Sequence, residues 1–235
     1  MPAPIQPDFR SYALPVSNRP LLEQLEQILP SAEALWNRIV HANKGPGLPR
    51  RIAVVAPHEQ AGSTTVARGL ALFLAQVVGR AVLLVECDLR SREAPTESLA
   101  PVGAVGLVGL LGQKAMLPEV VFRIEPAGIH LLPAGGVVAT PSTLLSDEAF
   151  GGVLRAVSSF FDVVILECPA LSGAPENRVL LPSADACVAV FRSGTVDPEQ
   201  ASLWLARIEE YGGRIGAVCL NGIVAGLPAP LRGAL

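Results

Sequence analysis

Three acidic residues stand where apolar runs end: Glu86 and Asp88 follow Val82-Leu83-Leu84-Val85, and Glu167 follows Val163-Val164-Ile165-Leu166. A third apolar run leads into a loop that closes on Gly62-Ser63-Thr64-Thr65 and opens a helical stretch. Carboxylate and hydroxyl oxygens are the hard donors that magnesium prefers. Backbone N–H groups at a helix start, aligned with the helix dipole, hold an anion. Gathered at one place, these residues would make a site for a phosphate and its metal ion. Gly62, Ser63, Thr64 and Thr65 are then the candidates for the anion, Thr64, Asp88 and Glu167 for the metal, and Asp88, Glu86 and Glu167 for catalysis. Taken singly, a strand, a small-residue loop and a helix could be any βα turn, and acidic strand ends are common. The coincidence of all of them carries the reading.

A frame is needed to bring such distant positions together. Runs at residues 51–56, 81–86, 128–133, 161–167, 186–192 and 216–221 read as strands, and 64–78, 142–159 and 198–211 as helices. Strands that are apolar throughout are buried on both faces, and their alternation with helices predicts a mostly parallel sheet with helices on both sides. The expected fold class is therefore a doubly wound, Rossmann-like three-layer α/β domain, with ligands outside the C-terminal ends of the strands. Ahead of it, residues 1–20 read as an extended arm, laid on a partner or mobile. Residues 21–49 read as a helical segment, broken at Pro30 with Ser31 as cap, and as a linker through Gly45-Pro46-Gly47-Leu48-Pro49. The main domain is expected over 50–225 and a short tail over 226–235.

Composition narrows the function classes. With 235 residues, 50% hydrophobic and 17% charged, the chain is expected to fold, not to remain disordered. A formal net charge of −3 gives no field for holding nucleic acid, so no nucleic-acid partner is expected. The mean hydropathy of +0.44 raises the question of a membrane span. The longest uncharged apolar run, 101–112, falls well short of the ~20 residues a span requires and is expected to pack beneath the sheet edge. Residues 1–20 lack a signal-peptide core, so a cytoplasmic location without a transmembrane segment is the expectation. Cys87, Cys168, Cys187 and Cys219 include no CxxC pair and read as reduced core thiols.

At this point a family resemblance emerges. The segment Val82-Leu83-Leu84-Val85-Glu86-Cys87-Asp88-Leu89-Arg90 is similar to the second acidic motif of the bacterial tyrosine kinases of capsule and exopolysaccharide export (CpsD/CapB type), relatives of the MinD and ParA ATPases. Gly106-Leu107 with Leu110-Leu111-Gly112 resembles the helix that follows it, and His130-Leu131-Leu132-Pro133-Ala134-Gly135, then Pro141 with Leu144-Leu145-Ser146, the segment before the Walker B strand. Phe161-Asp162-Val163-Val164-Ile165-Leu166-Glu167-Cys168-Pro169 resembles that strand. The 216–221 run resembles the last strand, whose Asn, here Asn221, approaches the base in relatives. The resemblance implies a P-loop NTPase fold, Mg-ATP or Mg-ADP as cofactor, and a membrane-bound polysaccharide co-polymerase or export component as partner. It also implies oligomers with itself or with an active homologue.

Several positions depart from the pattern. A P-loop reads G-x-x-x-x-G-K-[ST], its Lys facing the β and γ phosphates. Here Ser63 stands in the place of that Lys, and His58 in the place of the alternative lysine of MinD-type relatives. The two lysines, Lys44 and Lys114, lie elsewhere, and Glu86 and Glu167 replace aspartates. The tyrosines are Tyr12 and Tyr211, with no C-terminal cluster, and Glu33 is followed by Trp36 and Ile39 where an E-x-x-R-x-x-R ring motif would place arginines. A surviving subunit contact there would be apolar. These departures weigh against the implied cofactor and predict a degenerate, regulatory or scaffolding protein with little phosphoryl transfer. The alternative is an active kinase or ATPase in which Arg68, Arg90 or another subunit's arginine replaces the lysine. A third reading is an unrelated doubly wound domain.

Overall fold

Uninterrupted Val, Ile, Leu and Ala runs build the centre of the sheet in a computed structural model that describes residues 7–43, 45–90 and 98–222. They form β2 (Arg51–Val55), β3 (Val82–Glu86), β6 (Val163–Glu167) and β7 (Ala186–Arg192). Around them lie β1 (Arg10–Ala13), β4 (Phe122–Glu125), β5 (Ile129–Leu132) and β8 (Ile215–Asn221), in the order β1-β4-β5-β3-β6-β2-β7-β8. Neighbours run parallel except β4 and β5, which are antiparallel.

Successive residues of β2 face opposite layers, as a strand pleat requires. Ile52 and Val54 join Trp36, Ile39, Leu70 and Leu74 beneath α1 (Arg19–Gln27), α2 (Leu29–Ala42) and α3 (Ser63–Gln76). Ala53 and Val55 join Leu107, Phe150, Leu154 and Ile208 beneath α4 (Gly106–Leu111), α7 (Asp147–Val157) and α9 (Pro198–Glu210). The short α5 (Leu117–Val120), α6 (Pro141–Leu144) and α8 (Asn177–Leu180) complete the α-helices among the described residues, and a single 3-10 turn, Val16–Asn18, precedes α1. The result is the mostly parallel, two-sided α/β fold expected from the pattern of apolar runs. No described helix is long and apolar enough to cross a membrane.

Local chemistry explains where the expected elements shift. The 142–159 stretch is two helices, because Ser146 accepts the Ala149 N–H and starts α7 afresh, with Asp147 and Glu148 in its first turn. Ser31 is not a cap: α2 begins at Leu29 with Pro30 in its first turn, where a missing N–H costs nothing. The short β4 escaped the sequence reading; Phe122 and Ile124 are buried while Arg123 is exposed, an alternation too brief to stand out. Residues 10–13, expected in an extended arm, are extended but pair in register with β4 as an edge strand. In the 101–112 run Leu107 is buried, yet Val102 is 88% exposed. Trp36 and Ile39 are buried in their own chain's core, so they offer no subunit contact. The 226–235 tail, Lys44 and residues 1–6 lie outside the described residues.

The four cysteines are free, with Cys87, Cys168 and Cys187 buried. Burial pushes all three thiols up, that of Cys187 to about 11. Two predictions follow from the packing. Phe150 is fully buried, and Phe150→Ala is expected to cost about 3–5 kcal/mol in urea unfolding. His130 packs against Phe9 and Phe161, with ring centroids 5.4 and 5.0 Å away. Burial first, then the Arg123 charge, lowers its pKa. The unfolded chain therefore binds the proton more readily, so this contribution to stability is complete above about pH 6.5 and is lost as pH falls below it. The urea midpoint of the native chain should drop over that window more than that of His130→Leu.

Candidate functional site

The register of the two central strands places Glu86 of β3 directly opposite Glu167 of β6. Like charges in such a pair repel, and each carboxylate has its own partner. Arg68, one turn into α3 and 2% exposed, brings Nη2 to 3.5 Å from Glu86 Oε1. The Ala134 N–H donates to Glu86 Oε2 at 3.2 Å. Thr64, in the first turn of α3, donates its hydroxyl to Glu167 Oε1 at 2.5 Å. Two residues beyond Glu86, Asp88 accepts the Arg90 N–H on Oδ1 at 2.9 Å. The Arg90 guanidinium forks onto Glu176, with Nε to Oε1 at 2.7 Å and Nη2 to Oε2 at 2.8 Å. Glu176 is completely buried.

The turn before α3 is braced from the far side of the sheet. Gly62 has φ +94, a left-handed conformation that glycine adopts without a Cβ penalty. Any Cβ there would lie 1.9 Å from Asn221 Nδ2. That amide, at the end of β8, donates to the Ala61 carbonyl at 3.0 Å, and Arg192 Nη1 at the end of β7 donates to the Gln60 carbonyl at 3.2 Å. His58 is exposed on the same turn and meets Trp204 edge-on, with centroids 5.0 Å apart.

Thr64, Glu86, Asp88 and Glu167 line one cavity of about 580 Å³, walled by residues 98–104 and 133–136. Four of the expected residues therefore converge. Gly62, Ser63, Thr65 and Asn221 do not line it; Thr65 is exposed and Asn221 braces the loop. Neither Arg90 nor Glu176 was singled out as an ion pair by the sequence reading, because the partners are 86 residues apart and no local pattern links them. The Cys87 thiol beside the site is pushed well above its ordinary value, by burial first and then by the Glu167 and Glu86 charges.

Whether the site suits a magnesium nucleotide depends on two sets of donors. The Thr64 hydroxyl against Glu167, with Asp88 in the same cavity, is oxygen chemistry suited to a hard cation. No group of three or more His, Cys, Asp or Glu is placed to hold a metal among the described residues. On the phosphate side, the turn Pro57-His58-Glu59-Gln60-Ala61-Gly62-Ser63 carries neither Lys nor Arg. Three guanidinium groups of α3 and the strand ends are engaged: Arg68 at Glu86, Arg90 at Glu176 and Arg192 at a loop carbonyl. The turn itself offers a phosphate backbone N–H groups and no side-chain cation.

The sheet order and the two helical layers match the α/β fold of P-loop NTPases and MinD. The homologues of this chain are bacterial tyrosine kinases. Over 170 residues it is 24% identical to the tyrosine-protein kinase CpsD of Streptococcus agalactiae, covering 72% of this chain and 74% of that one. The kinase domain of the Escherichia coli tyrosine kinase ETK superposes with a TM-score of 0.70 at 25% identity, over 77% of this chain and 70% of that one. The septum site-determining protein MinD of Pyrococcus horikoshii, complexed with Mg-ADP, superposes with a TM-score of 0.60 at 20% identity, over 77% and 74% of the two chains, a likeness of fold. No family model matches the chain.

Removing the Arg90 guanidinium leaves the buried Glu176 carboxylate uncompensated. Arg90→Ala is expected to cost about 3 kcal/mol in urea unfolding, and Glu176→Gln, which removes the buried charge itself, clearly less.

Proposed function

We propose that this protein is a relative of the bacterial tyrosine kinases that has lost phosphoryl transfer and acts as a regulatory or scaffolding partner in capsule or exopolysaccharide synthesis or export. Its place is the cytoplasmic side of the membrane, recruited there by a membrane-bound polysaccharide co-polymerase or export component, with itself or an active homologue as a further partner. The observation that carries the reading is a phosphate turn without a cation above a floor of three carboxylates.

Phosphoryl transfer relies almost wholly on positioning and charge stabilisation. One cation at 4 Å from a phosphate charge contributes about 4 kcal/mol at an effective dielectric of 20, so its loss alone lowers a rate by about a thousandfold. Glu86 and Glu167 add to the deficit because each sets its carboxylate one methylene further from the backbone than the aspartate it replaces. The competing reading, an active kinase or ATPase with an arginine in the lysine's role, draws support from the names of the relatives. Against it stand the engagements of Arg68 and Arg90.

Calorimetric titration with Mg-ATP separates the two. The native chain is expected to give no saturable heat in the micromolar range, while Ser63→Lys gains measurable binding. Micromolar binding by the native chain, with hydrolysis abolished in Asp88→Asn, would establish the active reading instead.

A further inference from the structure

The opposite end of the sheet has a second cavity, of about 570 Å³, whose chemistry is the reverse of the first. It lies at the N-terminal ends of β2, β7 and β8, beneath the last turn of α7 and the loop that joins α2 to β2. Four arginines line it, Arg50, Arg51, Arg155 and Arg214, against one carboxylate, Asp185. The formal local charge is +3 on a chain whose net charge is −3.

Asp185 offsets one of these four charges, that of Arg51. Its Oδ2 accepts the backbone N–H groups of both Arg50 and Arg51 at 2.9 Å, and its Oδ1 meets Arg51 Nη2 at 3.2 Å. It is thus committed to aligning the start of β2. Asp162, the next acidic group nearby, turns its Oδ2 to the Ala81 N–H at 3.0 Å and does not line the cavity. The Arg50 guanidinium is held by carbonyls, donating to Ser158 O at 2.9 Å and Phe161 O at 3.1 Å. Carbonyls fix its place and leave its charge in full.

Arg155 and Arg214 are exposed and make no ion pair or side-chain hydrogen bond with the described residues. The dipole at the C-terminus of α7 accounts for one cation there, Arg155, in its last turn. It does not account for four converging on a concave surface. Guanidinium groups present a fork of donors that matches phosphate oxygens two at a time, and a cavity of this size is within the range of small-ligand sites.

We propose that this four-arginine cavity is an anion site for a phosphate-bearing ligand, with Arg155 and Arg214 as the groups that close on the phosphate, Arg50 as a fixed charge behind them and Arg51 held in its pair with Asp185. The ligand is either a soluble phosphate compound or the phosphate headgroup of a lipid. The site is independent of the strand-end cavity and of whether that cavity holds a nucleotide.

The test titrates the 235-residue chain, without magnesium, with pyrophosphate, and sediments it with phosphatidylcholine vesicles that contain or lack phosphatidic acid. The native chain is expected to bind pyrophosphate or the acidic vesicles, more weakly as salt rises. The Arg155→Ala/Arg214→Ala variant should lose about tenfold or more in affinity with an unchanged urea midpoint, and Arg155→Lys/Arg214→Lys should recover part of it. Binding of pyrophosphate alone assigns a soluble ligand; binding of the acidic vesicles assigns a lipid headgroup. If the double variant fails to fold, Arg214→Ala alone carries the comparison. The proposal is overturned if the native chain binds neither probe, or if the variants bind as tightly as the native chain.

Discussion

Two carboxylates facing each other across adjacent strands impose the central constraint on this molecule. Glu86 and Glu167 end β3 and β6 in register, side by side on the wall of one cavity. The surroundings answer the repulsion at each carboxylate separately, with buried Arg68 and a backbone N–H at Glu86 and the Thr64 hydroxyl at Glu167. Both side-chain partners come from α3, the helix that follows the turn at Gly62. The chain keeps the frame of its relatives while its charges are used internally.

The same economy governs the loops. Arg90 and Glu176 tie the segment after β3 to the segment after β6, and Asn221 with Arg192 ties the turn before α3 to the ends of β8 and β7. Charged-pair hydrogen bonds in partly dry surroundings are among the stronger polar contacts, and a missing partner is costly. Such ties favour one loop arrangement. The charge distribution is also polar along the strands, with carboxylates at the C-terminal ends and arginines at the N-terminal ends.

Much of this was legible in the linear chain because burial on both faces leaves a plain mark. β2, β3, β6 and β7 are apolar throughout and could hardly be anything else, and their alternation with helices dictated a parallel, two-sided sheet. The convergence of Thr64, Glu86, Asp88 and Glu167 followed, since strand C-terminal ends in such a sheet must meet at one edge. The absent lysine was equally plain. By contrast β4 has four residues and a charged neighbour at every other position, and the start of α7 turns on a single Ser146 side-chain hydrogen bond.

What the order of residues determined by itself was the fold class, the edge where chemistry would gather and a turn over 57–63 without Lys or Arg, because each depends on residue type and period along the chain. Only the tertiary structure decided how the remaining charges are spent. Whether Arg68 faces a phosphate or Glu86, whether Asn221 reaches outward or braces Ala61, and whether Trp36 meets another subunit or its own core depend on distances between segments far apart in sequence. Those distances are set by packing, to which local pattern is blind.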